Sequence, residues 1–219
     1  MSESTSPFFA ALAKLGIAPS ANTESNVRAE RDADYVRRAA TEREFADARR
    51  AIQSIPMTAL VRSLVLENKT QQTAAQRVVN SWLANQSRKR FIVLLGGVGV
   101  GKTVAAAVAA KFFGRCVYIS APQLRPIATK ELWGDERNSR VIQAPFVVLD
   151  DLGTEADDED KFHAALFELV NGRLDVGHTV ITSNLSRKEF ARRYGERVID
   201  RLRESAEVHE IAGKSMRAP

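Results

Sequence analysis

The sequence predicts an α/β protein built on a parallel sheet, and three features predict it. From about residue 90 onward, short apolar runs alternate with helical segments, the pattern of strands covered on both faces by crossover helices. A glycine-rich turn follows the first of these runs. An acidic pair ends the third, at the C-terminal edge where open α/β sheets bind ligands.

The 219 residues suffice for one full α/β core plus an appendage, not for two large domains. A hydrophobic fraction of 44% and a charged fraction of 27% are ordinary for a globular chain. The net charge of +5 suits a polyanionic partner without requiring one. Cys116 is the single cysteine, which excludes a disulfide framework and a thiolate zinc cluster. His163, His178 and His209 have no ligand spacing. No apolar run approaches the ~20 residues of a membrane span, and the opening MSESTSPFFAALAKLGIAPSA has no basic leader region. A cytoplasmic protein without membrane contact is expected.

Taken in order, residues 1–25 carry Phe8, Phe9, Leu12 and Leu15 at helical spacing, which fits either a short docking helix or a tail dotted with apolar residues. NVRAERDADYVRRAATEREFADARRAIQ (26–53) is dense in Ala, Arg and Glu, as in a long solvated helix laced with i,i+4 ion pairs. Residues 1–55 are thus expected to form a helical, partly disordered extension open to partner binding, and 56–219 the nucleotide-binding domain. Pro56 marks the break. Two helices follow, with Trp82 and Leu83 packing on the sheet. The strands are RFIVLLG (90–96), CVYIS (116–120), FVVLDD (146–151) and TVITSN (179–184), with EVHEIAG (207–213) as a fifth. Between them lie the helices KTVAAAVAAKFF, PQLRPIATKELW (interrupted by Pro126), KFHAALFELVNGRLD, and SRKEFARRYGERVIDRLRE with a break at Gly195. The acidic run DDEDK (157–161) reads as a solvated loop.

Gly96-Gly97-Val98-Gly99-Val100-Gly101-Lys102-Thr103 matches G-x-x-x-x-G-K-[ST] after a strand and at the start of a helix, the context a phosphate-binding loop requires. Glycines let successive N–H groups converge on phosphate oxygens, and the helix N-terminus adds partial positive charge. With Val104, these residues form the expected nucleotide contact. Lys102 is expected on the β- and γ-phosphates and Thr103 on Mg²⁺. Asp150 is the second expected metal ligand, through water. Asp151 is placed to orient or deprotonate the attacking water, and Glu155 is a second candidate for that task. The fold so implied is a P-loop NTPase: a five-stranded parallel sheet with helices on both faces.

The segments GKTVAAA, VVLDDLG, VNGRLDVGHTVITSNLS, YGERVIDRL and IAGKSMR, in that order, resemble the DnaC/IstB-type AAA+ ATPases over about residues 56–217. That group includes replicative-helicase loaders and transposition ATPases. The resemblance implies ATP as the nucleotide and Asn184 as the sensor amide beside the γ-phosphate. It implies Arg201 as the arginine finger offered to a neighbouring subunit, with Arg197 and Arg203 as alternatives. Arg217, in G-x-S-x-R with Gly213 and Ser215, has no assigned role. Val104 departs from the family, which often has histidine there, and the helical lid of larger AAA+ proteins is expected to be absent. Arg187, Lys188, Arg192 and Arg193 form one basic cluster. Arg125, Lys130, Arg137 and Arg140 form another, where the family grips single-stranded DNA. Trp133 either stacks on a base or packs in the core. The leading expectation is an ATPase of DNA replication that binds single-stranded DNA and assembles a replicative helicase through its N-terminal segment. It would act as a homo-oligomer, with ATP hydrolysed at subunit junctions. The alternatives are a transposition ATPase acting on duplex DNA with a transposase, and a nucleotide-gated adaptor.

Overall fold

The computed structural model describes residues 40–85, 88–127, 136–155 and 159–216. The expectations for residues 1–39, Lys130, Trp133 and Arg217 lie outside these, as do those for the side chains of Arg125 and Arg137. The chain divides into two compact units, Met1–Phe45 and Ala46–Pro219. In the first, the described residues 40–45 are helical. In the second, residues 46–53 are helical, and Ile52 and Ile55 are fully buried in the same core as Trp82. Ile52 and Ile55 thus tie this partly charged segment to the core of the second unit.

After the helical residues 40–53, two further helices precede the sheet, α1 (Ala59–Leu66) and α2 (Ala74–Ala84), and each is capped by a threonine. The hydroxyls of Thr58 and Thr73 accept first-turn N–H groups that would otherwise lack partners. The alternation then runs β1 (Phe91–Leu95), α3 (Lys102–Phe113), β2 (Val117–Ser120), α4 (Ala121–Ile127), α5 (Glu136–Gln143), β3 (Phe146–Leu152), α6 (Glu159–Arg173), β4 (His178–Ser183), α7 (Arg187–Ser205) and β5 (Ala206–Glu210). The five strands lie in the order β2-β3-β4-β1-β5, and every neighbouring pair is parallel.

Residue alternation along the strands builds two cores. Phe91, Val93 and Leu95 face one of them, with Phe162 and Leu166 of α6 and Phe190 and Leu202 of α7. Ile92 and Leu94 face the other, with Val79 and Trp82 of α2. There α3 presents Ala105, Ala106, Ala109 and Ala110, all fully buried, and such small side chains let the helix lie close on the sheet. Trp82 donates its indole N–H to the Lys89 carbonyl at 3.0 Å, so the ring is buried with its polar atom satisfied. Gly195 (φ 71, ψ 169) kinks α7, as its sequence suggests, in a conformation that other residues avoid.

Candidate nucleotide-binding site

The site forms at the C-terminal edge of the sheet, where β1 passes into α3. Gly101 is the N-cap of α3 and supplies no capping side chain, whereas Ser186 closes a full capping box on α7. The leading N–H groups of α3 therefore remain available to an anion, with the helix's partial charge behind them. A cavity of about 640 Å³ opens here, a volume suited to a nucleotide-sized ligand. It is lined by Val98, Gly99, Gly101, Lys102, Thr103 and Val104 of the loop, by Asp150, Asp151 and Asn184, and by Pro56, Met57, Thr58, Val61 and Met216. Val100 is buried behind the loop in the core.

Lys102 is only 5% exposed. Its ammonium donates to the carbonyls of Gly96 (2.7 Å) and Gly97 (2.8 Å) and to Asn184 Oδ1 (2.9 Å). Gly96 and Gly97 thus meet the site through their carbonyls. The contact also brings Asn184, from the end of β4, onto the phosphate loop.

The two acids need a special device. Adjacent residues of a regular strand face opposite sides, so a regular β3 would aim only one of them at the site. The β3–β4 register instead runs Leu149↔Ile181 and then Leu152↔Ser183, so β3 holds one extra residue, a bulge. Asp151 sits in it at φ 59, a left-handed conformation that Asp tolerates better than most residues. Both carboxylates then line the cavity.

Asp150 is 1% exposed and accepts hydroxyls from Thr103 (3.2 Å), Tyr118 (3.1 Å) and Thr182 (2.5 Å). Burial pushes its carboxyl above the ordinary aspartate value; the Thr182 hydroxyl opposes that shift, and the neighbouring Asp151 charge adds to it. Thr182 Oγ1 also accepts the Asp151 N–H at 3.0 Å, and Asn184 Nδ2 lies 3.5 Å from Asp151 Oδ1. A buried carboxylate beside a threonine hydroxyl is a hard oxygen set that fits Mg²⁺, and Asp150 with Thr103 would hold it. Among the described residues, no separate cluster of three or more His, Cys, Asp or Glu offers a metal site.

The other expected residues lie elsewhere. Glu155 is outside the cavity lining and is engaged by Arg193, Tyr194 and the Gly153 N–H. Arg201, Arg197 and Arg203 are exposed on α7 beyond its kink. Arg197 lies over the Phe167 ring and Arg203 pairs with Asp200. The Arg201 guanidinium has no hydrogen bond or ion pair among the described residues. Arg187, Lys188 and Arg192 are exposed on the first half of α7, with the Arg187 guanidinium donating to the Val208 carbonyl; Arg193 turns inward to Glu155. Arg140 is exposed.

Sequence reading missed Tyr118 and Thr182, which fix Asp150 from neighbouring strands. Thr182 shares strand parity with Asn184, a signal that was present but not used. It also missed the closing segment after β5, where the Met216 N–H donates to the Gly99 carbonyl at 3.0 Å. No helix among the described residues is long and apolar enough to cross a membrane.

Solved structures share this fold. The DnaC helicase loader matches with a TM-score of 0.57 at 22% identity, covering 71% of this chain and 100% of that one. A candidate primosome component from Streptococcus pyogenes serotype M3 matches at 0.59 and 20% identity, covering 78% and 98%. AMPPCP-bound DnaA from Aquifex aeolicus matches at 0.54 and 22% identity, covering 66% and 49%. No curated protein matches significantly. A profile of the family described as IstB-like ATP binding protein matches residues 16–219. With nearly the whole chain matched, and with the glycine-rich loop, the acid pair and Asn184 around one cavity, the chain belongs to the family of IstB-like ATP-binding proteins.

Proposed function

We propose that this protein is an ATP-dependent DNA-replication factor of the loader type, which binds single-stranded DNA, helps assemble a replicative helicase, and hydrolyses ATP at the junctions of a homo-oligomer. The observation that carries the reading is the division of the catalytic cations. Among the described residues, Lys102 is the only arginine or lysine lining the nucleotide cavity, and the exposed Arg201 guanidinium on α7 has no partner. A second copy offering Arg201 would supply the missing charge.

In this reading the phosphates draw the Lys102 ammonium from the Gly96 and Gly97 carbonyls, which releases Asn184 toward the γ-phosphate. Mg²⁺ held by Thr103 and Asp150 would neutralise charge on the phosphate oxygens. Asp151 orients water so that its oxygen bonds the γ-phosphorus as the bond to the bridging oxygen breaks. ADP leaves with that electron pair, and the water's proton passes by way of Asp151 to the phosphate product. The N-terminal segment is proposed to hold the helicase, and Arg187, Lys188 and Arg192 to contact DNA phosphates. The fold shared with the DnaC helicase loader supports this choice.

The resemblance to IstB-type ATPases supports a second reading, a transposition ATPase on duplex DNA. DNA titrations separate the two. A loader should prefer single strands, with log K falling against log[salt] by roughly 0.7 per phosphate neutralised. Tighter binding to duplex would overturn the loader reading in favour of the second.

A further inference from the structure

We infer that Glu155 is a positioning residue, which with Arg193 and Tyr194 braces the turn that aims Asp151; the inference rests on the proposed role of Asp151 in directing water.

The catalytic acid sits at a fragile place. Asp151 occupies a bulge at φ 59, a conformation that persists only where its surroundings impose it. Its N–H is held by Thr182 Oγ1, and its carbonyl accepts both the N–H (3.2 Å) and the hydroxyl (2.8 Å) of Thr154. The turn 151–154 so formed contains Gly153 at φ 103, where a Cβ would stand 3.0 Å from the Leu185 side chain. What stops this turn from relaxing is Glu155.

The Glu155 carboxylate divides its two oxygens between two elements. Oε2 accepts the Gly153 N–H at 2.7 Å, holding the turn. Oε1 accepts from Arg193 Nε at 2.6 Å and from the Tyr194 hydroxyl at 2.8 Å, holding α7. The Glu155 side chain is 3% exposed. Burial alone would raise its pKa, but the Arg193 hydrogen bond, with those of Tyr194 and the backbone, outweighs burial and leaves the carboxyl below the ordinary glutamate value. Glu155 is therefore a charged strut between the end of β3 and the first half of α7. Its two neighbours on α7 stand directly before the Gly195 kink, beyond which Arg201 follows. The same helix carries the exposed Arg187, Lys188 and Arg192.

This assignment differs from a catalytic one in a measurable way. A group that handles the water's proton fails on Glu→Gln exchange, whereas a strut survives it in part, because the amide oxygen still accepts the Gly153 N–H. Steady-state ATP turnover with single-stranded DNA, affinity for a fluorescent ATP analogue, and thermal melting should be measured for Glu155→Gln, Glu155→Ala, Arg193→Ala, the Glu155→Ala/Arg193→Ala double variant, and Asp151→Asn. Glu155→Ala should lose turnover on the order of 10²-fold, the cost of misplacing a reacting group by about 1 Å, with KM and analogue affinity little changed. Arg193→Ala should fall in the same direction although it leaves the carboxylate in place, and the double variant should be no worse than Glu155→Ala alone. Glu155→Gln should recover part of the rate and fall no further than Arg193→Ala, because its amide oxygen keeps the Gly153 N–H while its NH2 cannot accept from Arg193. A Glu155→Gln variant as inactive as Asp151→Asn would make Glu155 a catalytic acid or base and overturn the inference. Wild-type turnover in a folded Glu155→Ala variant would overturn it as well. If Asp151→Asn itself turns over normally, the underlying reading of Asp151 fails, and the inference fails with it.

Discussion

At the residue scale, two substitutions should separate holding the nucleotide from cleaving it. Lys102 is the only lysine or arginine lining the cavity among the described residues, and its ammonium already sits among three oxygen acceptors. Lys102→Ala should weaken ATP binding and abolish turnover. Asp151→Asn should keep binding and lose turnover, measured by analogue titration and phosphate release. Asparagine is the informative exchange because it also tolerates the left-handed backbone at φ 59; alanine there would add strain and blur the result. Normal hydrolysis by Asp151→Asn would remove Asp151 from the chemistry. Lys102, Thr103 and Asp150 were legible in the sequence because loop spacing and a strand-terminal acid fix their places within one local segment. Asp151 was expected at the site, but the device that turns it toward the cavity was not legible. It is a bulge, which is a property of the register between β3 and β4 and leaves no mark on β3 alone. For the same reason Glu155 read as a spare acid, since its partners Arg193 and Tyr194 are distant in the chain.

At the element scale, much of the strand–helix alternation was readable because β1 and β3 begin as buried apolar runs, whereas α5 carried no signal that was read. KTVAAAVAAKFF is the whole of α3, bounded by Gly101 and Gly114. The closing segment after β5 was not readable as part of the site, since nothing local says that it returns to the phosphate loop. Its contact makes a sharp prediction about two neighbouring glycines. A Cβ at Gly96 (φ 141) would stand 2.3 Å from the Ile211 carbonyl oxygen, a backbone atom that cannot swing aside, while a Cβ at Gly97 would meet nothing within 4 Å. Gly96→Ala should therefore lose stability by at least about 1–3 kcal/mol, seen as a lower melting temperature without nucleotide. Gly97→Ala should melt like the wild type, and any defect should appear only in ATP affinity. Equal melting temperatures for the two variants would show that the closing segment does not press on the loop.

At the scale of the whole molecule, the question is whether one chain completes its own site. Of the three candidate finger arginines on α7, Arg197 lies over Phe167 and Arg203 is paired with Asp200. Arg201 alone among them keeps its guanidinium exposed and unengaged among the described residues, the state expected of a group reserved for another subunit. Arg201→Ala should leave ATP binding nearly intact, because it removes nothing from the chain's own cavity. Hydrolysis should slow by up to roughly 10³–10⁵-fold if the residue acts as arginine fingers do. Mixing Arg201→Ala with Lys102→Ala protein should restore part of the activity. At a mixed junction the Lys102→Ala subunit contributes Arg201, and the Arg201→Ala subunit contributes an intact phosphate loop. Turnover per subunit should also climb with protein concentration and with added DNA, since both favour assembly. Recovery on mixing is the decisive observation, because no folding or stability defect in either variant can produce it. Turnover independent of concentration, together with no recovery in the mixture, would show that the site is complete within one chain and that Arg201 belongs only to the solvated face of α7.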